Sequence, residues 1–357
     1  YLSTTENKNL QHINAISRLQ PDRYVWLDRF TIRNLELVYS NHETGVALID
    51  VLDQTVSPMG ARLLKKWVVL PLTVPAAIEE RLDIVSHLYE QTGLEAELTQ
   101  YIQQVGDLER LISKVPLGKI NPREIKQVQK ALELIPPIKM GLQSSGHEQL
   151  AKIGEGLNPC ALLRDEIDKQ LIDDPPVNLA KGNVMADGFN EELDELRGIV
   201  RNSKDLLLGI QQREVENTGI SSLKIGFNNV FGYYLEVTNK YKNQVPEAWV
   251  RKQTLTNSER YITEELKHLE SKILGAEEKI MVLEEQLFSE LVMVLADYIR
   301  PIQHNAALIA RIDCLLGFAK VARKHNYCRP SITEGTAVDI KQGRHPVIEQ
   351  QLSMDEP

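Results

Sequence analysis

The stretch Ile262-Thr-Glu-Glu-Leu266-Lys-His-Leu269-Glu-Ser-Lys-Ile273-Leu-Gly-Ala276-Glu-Glu-Lys-Ile280-Met-Val-Leu283-Glu-Glu-Gln-Leu287 decides the fold. Its apolar positions advance alternately by four and three residues, a heptad-like row that lies along one face of a long helix. The row continues through Leu291 towards Tyr298 and is expected to end at Pro301, which at 1.5 Å per residue gives ~58 Å of helix. A second row precedes it. Leu193, Leu196, Val200, Leu207 and Ile210 advance by threes and fours, with Ser203 filling one seam position. Asn190 is a good N-cap, Glu191 and Glu192 follow it at the positive end of the helix dipole, and Gly219 is the expected stop. This helix of about 28 residues should extend ~42 Å.

The segment between the two helices has another character. Leu223-Lys-Ile-Gly-Phe-Asn and Tyr234-Leu-Glu-Val-Thr alternate apolar with polar residues, as half-buried antiparallel strands do, and Asn228-Asn229 with Gly232 supply turn chemistry between them. Seven of the chain's 20 aromatic residues fall between Thr218 and Tyr261, which is expected to give this insert a core of its own. Because the chain leaves by one helix and returns by the other, the two run antiparallel and carry the β module between them.

Upstream, from about Asp28 to Lys169, the pattern is helical, and Pro58, Pro71, Pro75, Gly93, Gly106, Pro116, Pro122 and Pro136 divide it into helices of modest length. Ile78, Leu82, Val85 and Leu88 form one apolar stripe, and Ile125, Val128, Leu132 and Ile135 another. Ile13 to Trp26 alternate weakly, a pattern compatible with short strands. The expected fold is mainly α: a helical bundle core with two long antiparallel helices carrying a small antiparallel β module.

Composition narrows the function. The 357 residues are 42% hydrophobic and 25% charged, ordinary for a globular protein of more than one folding unit, and exclude disordered or low-complexity readings. Cys160, Cys314 and Cys328 are odd in number and without a C-x-x-C pair, so reduced thiols in a cytoplasmic protein are expected. The longest apolar run, Trp67 to Leu72, is far short of the ~20 residues that span a bilayer. Tyr1 in place of Met and the absence of a signal-peptide pattern suggest a piece cut from a longer protein.

The net charge of −9 disfavours nucleic acid as a general partner, but the insert opposes it. Lys224, Lys240, Lys242, Arg251, Lys252 and Arg260 outnumber Glu236, Glu247 and Glu259 by three, which leaves −12 on the rest. Around these cations stand Asn228, Asn229, Thr254, Thr256, Asn257 and Ser258, groups that bond phosphate oxygens without reading bases. A module with this excess can also be an ordinary surface. No G-x-x-x-x-G-K-[ST] loop occurs: Gly118-Lys119 lacks its upstream glycine, and Gly154-Glu-Gly156 lacks a strand before it. Asp107 with Glu109 reads as a solvated helical face and not as an acid and base. His325 with Cys328 is too sparse for a metal site. No catalytic residue, metal or cofactor is expected in this chain.

Several blocks together resemble the MutS family of DNA mismatch repair proteins: Thr55-Val-Ser-Pro-Met-Gly-Ala-Arg-Leu-Leu-Lys-Lys-Trp67, Gln104-Val-Gly-Asp-Leu-Glu-Arg110, Gly188-Phe-Asn-Glu-Glu-Leu-Asp-Glu-Leu-Arg197, Leu223-Lys-Ile-Gly-Phe-Asn-Asn-Val-Phe-Gly-Tyr-Tyr234, Arg251-Lys-Gln-Thr-Leu-Thr-Asn-Ser-Glu-Arg-Tyr261 and Gly343-Arg-His-Pro-Val-Ile-Glu349. The likeness runs in order over nearly the whole chain. It implies the end of a connector domain at 1–20, a helical core at 21–189, an ascending lever helix at 190–217, a clamp at 218–261, a descending lever and return to the core at 262–334, and the start of an ATPase domain at 335–357. It further implies a clamp on the DNA backbone through Asn228, Asn229, Arg251, Lys252, Thr254, Asn257 and Arg260, with Thr256 standing where some relatives carry a basic residue. ATP and Mg in the longer protein, a homodimer and a MutL-like repair partner are implied in the same way, and Arg344, His345 and Pro346 match a segment near the family's nucleotide site. Two alternatives stay open: a MutS paralogue acting on recombination intermediates, and a coiled-coil scaffold binding an acidic protein.

Overall fold

A computed structural model describes residues 21–228 and 230–351. Ten helices precede the long pair: α1 Arg29–Asn34, α2 Leu48–Leu52, α3 Pro58–Val69, α4 Pro75–Glu90, α5 Thr92–Val105, α6 Leu108–Ser113, α7 Pro122–Glu133, α8 Ile135–Gln143, α9 Glu148–Gly156 and α10 Ala161–Gln170. Then come α11 Glu191–Thr218, strands β1 Lys224–Asn228, β2 Gly232–Thr238, β3 Val250–Thr254 and β4 Ser258–Ile262, and helices α12 Glu264–Asp297 and α13 Ile299–His325. The chain forms two compact units, one running to Asp168 and resuming at Val292, the other Lys169–Leu291.

In the first unit the prolines start helices. Pro58, Pro75 and Pro122 each take the first helical position, where a missing N–H costs nothing, and Ser57 and Asn121 cap α3 and α7 from just before them. The helices α2 to α6 and α9 pack against α13, whose buried residues lie on every side. Three polar side chains of α13 fix its neighbours. Asp313 accepts from the Ser57 N–H at 2.8 Å and the Ser57 hydroxyl at 2.6 Å, with the Val56 N–H at 2.9 Å. Gly60 gives that carboxylate room, since a Cβ there would lie 2.1 Å from Asp313 Oδ2. Asn305 exchanges two hydrogen bonds with the backbone of Asn158, and Arg323 donates to Glu95 and to the last carbonyls of α4.

Two expectations need correction here. The long helix ends at Asp297, about 51 Å after its start, and not at Pro301. Pro301 lies instead in the first turn of α13, where its ring is tolerated. Of Ile13 to Trp26, residues 13–20 lie outside the described residues; Pro21–Arg23 form a 3-10 turn, and Tyr24 makes an isolated antiparallel bridge to Leu72.

The second unit holds α11, the β module and most of α12. Asn190 caps α11 by accepting from the Leu193 N–H at 2.9 Å, and Gly219 ends it in the left-handed conformation at φ +70°. Ion pairs join Arg197 to Glu284 near one end and Arg213 to Glu265 near the other. Residue numbers therefore rise along α11 as they fall along the facing stretch of α12, so the helices are antiparallel. Arg197 is buried in this seam and donates also to Asp187 Oδ1 at 2.7 Å and the Met185 carbonyl at 3.0 Å. The β module does not have a wholly separate core. Leu235, Val237, Trp249 and Tyr261 pack with Ile210 of α11 and Leu266 of α12.

Candidate nucleic-acid interface

The sheet is antiparallel in the order β1-β2-β4-β3. Residues alternate across its two faces. Leu235 of β2, opposite Tyr261 of β4, faces the core; Glu236, opposite Arg260, faces outward. On that outer face Tyr234 lies across Gly226, its partner on β1, so closely that a Cβ on Gly226 would meet the ring at 2.6 Å. The Arg260 guanidinium stacks 4.4 Å from the centre of Tyr234, donates to Glu236 Oε2 at 3.1 Å and to Gln253 Oε1 at 2.9 Å, and leaves its side chain only 19% exposed. It is a clasp across three strands. A charge that the sequence placed at the surface is thus largely spent within the module.

The other sites divide between the two ends of the sheet. Asn228 closes β1 and uses its side-chain oxygen to accept from the Val230 N–H at 2.8 Å; Asn229 lies outside the described residues. The start of β2, opposite Asn228, stands against α12, where the Tyr233 N–H donates to Glu270 Oε2 at 3.2 Å and the carboxylate fills the space beside Gly232. A phosphate approaching there would meet Glu270. The β3–β4 turn lies at the opposite end, about six strand steps or ~20 Å away along β2. There Thr254, Thr256 and Asn257 are exposed, and Asn239 holds the turn in place: its N–H donates to the Asn257 carbonyl at 3.1 Å and its amide to the Thr256 carbonyl at 2.9 Å. Asn228 and the Thr254–Asn257 group therefore do not form one surface.

Arg251 and Lys252 lie on the edge strand β3, every residue of which is exposed. The ladder to β4 slips between Arg251 and Gln253, so that Lys252 is the extra residue of a bulge, free of a cross-strand partner. Arg251 faces Glu259 at 3.3 Å with its side chain 61% exposed. Glu259 also accepts from the Tyr261 hydroxyl, and this hydrogen bond, with Arg251, holds its carboxyl below the usual range. Burial and the same contact push the Tyr261 hydroxyl up to about 12. The sequence singled out neither Glu259 nor Asn239 for these tasks, because both act through strand register that no local pattern displays. Lys240 and Lys242, on the 3-10 turn after β2, add exposed cations.

Asp107 and Glu109 both bind Arg62, at 2.7 and 2.6 Å, as a structural ion pair. Among the described residues no group of three or more His, Cys, Asp or Glu could hold a metal, and no helix is long and apolar enough to cross a membrane. Residues 30–319 match the family model described as MutS domain III. The DNA mismatch repair protein MutS of Parabacteroides distasonis is 54% identical over 357 residues, covering 100% of this chain and 41% of that protein. The corresponding proteins of Christiangramia forsetii and Flavobacterium johnsoniae are each 53% identical, over 352 and 357 residues, covering 99% and 100% of the chain and 40% and 41% of the relative. The chain thus spans about two fifths of the length of these curated relatives.

Proposed function

Because the chain belongs to the MutS family, we propose that its β module grips the backbone of duplex DNA without reading bases. The observation that carries this reading is the β3–β4 hairpin, where Arg251, Lys252, Thr254 and Asn257 stand exposed on an edge strand and its turn. Cations with hydroxyl and amide donors suit phosphate oxygens, contacts that position a protein without reading bases. Arg260 acts behind them by holding β4 to β2 and β3, and Asn228, whose strand partner Gly232 lies against Glu270, is a secondary contact, as is Asn229 after it in sequence.

In this reading residues 218–261 are the clamp, 190–217 the ascending lever, and 262–334 the descending lever and its return to the core at 21–189. Residues 1–20 end a connector domain and 335–357 begin an ATPase domain. The levers pass the state of the grip to ATP and Mg bound elsewhere in a longer, cytoplasmic, homodimeric protein that works with a MutL-like partner. This chain alone, without a phosphate-binding loop in its sequence, hydrolyses no ATP. Anisotropy of a labelled random-sequence duplex, titrated at several salt concentrations, tests the grip. Affinity of about 10⁻⁴ to 10⁻⁶ M that falls with salt, alike for matched and mismatched duplexes, is expected. Salt-independent binding, or a tenfold preference for a mismatch, would refute it.

A further inference from the structure

Two histidines far apart in the chain meet inside the first unit. His87 lies in the last turn of α4 and His147 immediately before α9, and their rings approach to 5.1 Å between centres at a tilt of 50°. His87 Nε2 and His147 Nδ1 are both buried, and neither has a hydrogen-bond partner among the described residues. One such nitrogen is costly to bury, and a pair of them on touching rings asks for something that bonds to both. The backbone fixes the two rings. The His87 carbonyl accepts from the Gln91 N–H at 3.0 Å in the helical turn that closes α4. The His147 N–H donates to Ser145 Oγ at 3.2 Å, and its carbonyl accepts from the Ala151 N–H at 2.9 Å to open α9. Nearby carboxylates are already engaged: Asp83, one turn before His87 on α4, binds Arg329 at 2.7 Å, and Glu148, next to His147, binds Lys152 at 2.6 Å. Burial and the adjacent His87 push the His147 pKa down, towards the neutral imidazole that ligates metals.

We infer that His87 Nε2 and His147 Nδ1 together bind one borderline divalent cation of the Zn²⁺ class and so tie α4 to α9. Two imidazoles on one tetrahedral ion at ~2.05 Å have their ring centres about 5.2 Å apart, which the observed 5.1 Å matches. Nitrogen ligands select Zn²⁺, Cu²⁺ or Ni²⁺ over Mg²⁺ and Ca²⁺, which need oxygen atoms that the engaged carboxylates do not offer. Two protein ligands leave the remaining positions to water, so the site is exchangeable and not a closed structural one. A water bridging the two nitrogens, or a proton shared between them, would satisfy the same atoms without a metal, and the experiment separates these cases from the ion. The inference is independent of the DNA grip.

Zn²⁺ is titrated by calorimetry into the chelator-treated 357-residue chain carrying Cys328→Ser, which removes the exposed thiol as a competing ligand. One saturable equivalent is expected. His87→Gln and His147→Asn, which keep a polar side chain in place, should each weaken it by at least the ~10–100-fold that loss of an outer-sphere partner costs. His268→Gln, at an exposed position of α12, should leave it unchanged. Zn²⁺ should raise the thermal midpoint of the first unit in the parent and in His268→Gln but in neither of the other two variants. Cu²⁺ bound to the same chain should show electron-paramagnetic hyperfine coupling to two imidazole nitrogens, a measurement that needs no variant to fold. Absence of saturable Zn²⁺ binding, as the bridging water and the shared proton both predict, overturns the site. So does binding that survives in both His87→Gln and His147→Asn, or a Cu²⁺ spectrum with a single coupled nitrogen. None of these readouts involves DNA, so failure here leaves the grip untouched.

Discussion

Replacing Arg260 by alanine separates two roles that a cation on this module can have. If Arg260 were a phosphate contact, its loss would weaken DNA binding and reduce its salt dependence while leaving the fold alone. Its geometry says otherwise: a stack on Tyr234 at 4.4 Å, an ion pair to Glu236 at 3.1 Å and a hydrogen bond to Gln253 at 2.9 Å, with 19% of the side chain exposed. A partly desolvated cation–π contact contributes about 1 kcal/mol, and two charge-assisted hydrogen bonds, discounted for partial exposure, contribute about 1 kcal/mol more. The expected cost is about 2 kcal/mol, or a midpoint lower by roughly 5–10 °C for a unit of this size. Fluorescence of Trp249, packed 6.1 Å from Tyr261, reports that transition. The salt slope of DNA binding, about −2 to −3 for two or three neutralised phosphates, should stay the same. Lys252→Ala should do the reverse, flattening the slope by about 0.9 and leaving stability within about 0.5 kcal/mol. An Arg260→Ala protein that melts like the parent but loses one unit of slope would refute this division.

Gly60→Ala should destabilise the first unit by about 1–3 kcal/mol in thermal denaturation, because its methyl group would collide with Asp313 at the N-terminus of α3; an unchanged midpoint would mean the carboxylate has room to move. The Tyr261 hydroxyl, pushed up to about 12, keeps its proton more tightly folded than unfolded, where tyrosine titrates near ~10. Its contribution is therefore complete below about pH 10 and lost as pH rises through about 12, so the β module should melt earlier across that window, and Tyr261→Phe should flatten the dependence. Joining α11 to α12 by a short turn in place of residues 218–261 should leave the first unit folded but expose Ile210 and Leu266; trimming both helix ends past these residues should restore solubility, and a first unit that then fails to unfold cooperatively by calorimetry would contradict the two-unit division.

The features legible in the sequence were those set by local pattern. Asn190 and Gly219 bound α11 because capping chemistry acts over a few residues, and the seam of α12 follows from its heptad row. The helix α13 was not legible, because burial on all sides erases amphipathic periodicity and Pro301 reads as a stop before a helix has been placed around it. Asp313 with Ser57 and Asn305 with Asn158 join residues far apart in the chain, and no spacing rule announces such pairs. At the candidate site, what was legible is exposure. Lys252, Thr254 and Asn257 are exposed, as a charged or polar residue in a short strand or turn usually is. Whether Arg260 points outward or onto a tyrosine depends on its register against Glu236, and whether Asn228 joins the others depends on which end of the sheet its turn occupies.

The bulge at Lys252 has a bearing on solubility. A strand with all its residues exposed and its outer N–H and C=O groups open is a template on which a second copy can add its own edge. The extra residue breaks the repeat of those groups and twists the edge, while Arg251 and Lys252 place like charges where a symmetry-related strand would have to lie. The lysine proposed to meet a phosphate is thus also expected to disfavour edge-to-edge addition of a second module. Deleting Lys252 would straighten the strand, and concentrated solutions of that variant would then be expected to bind thioflavin and scatter light where the parent stays clear.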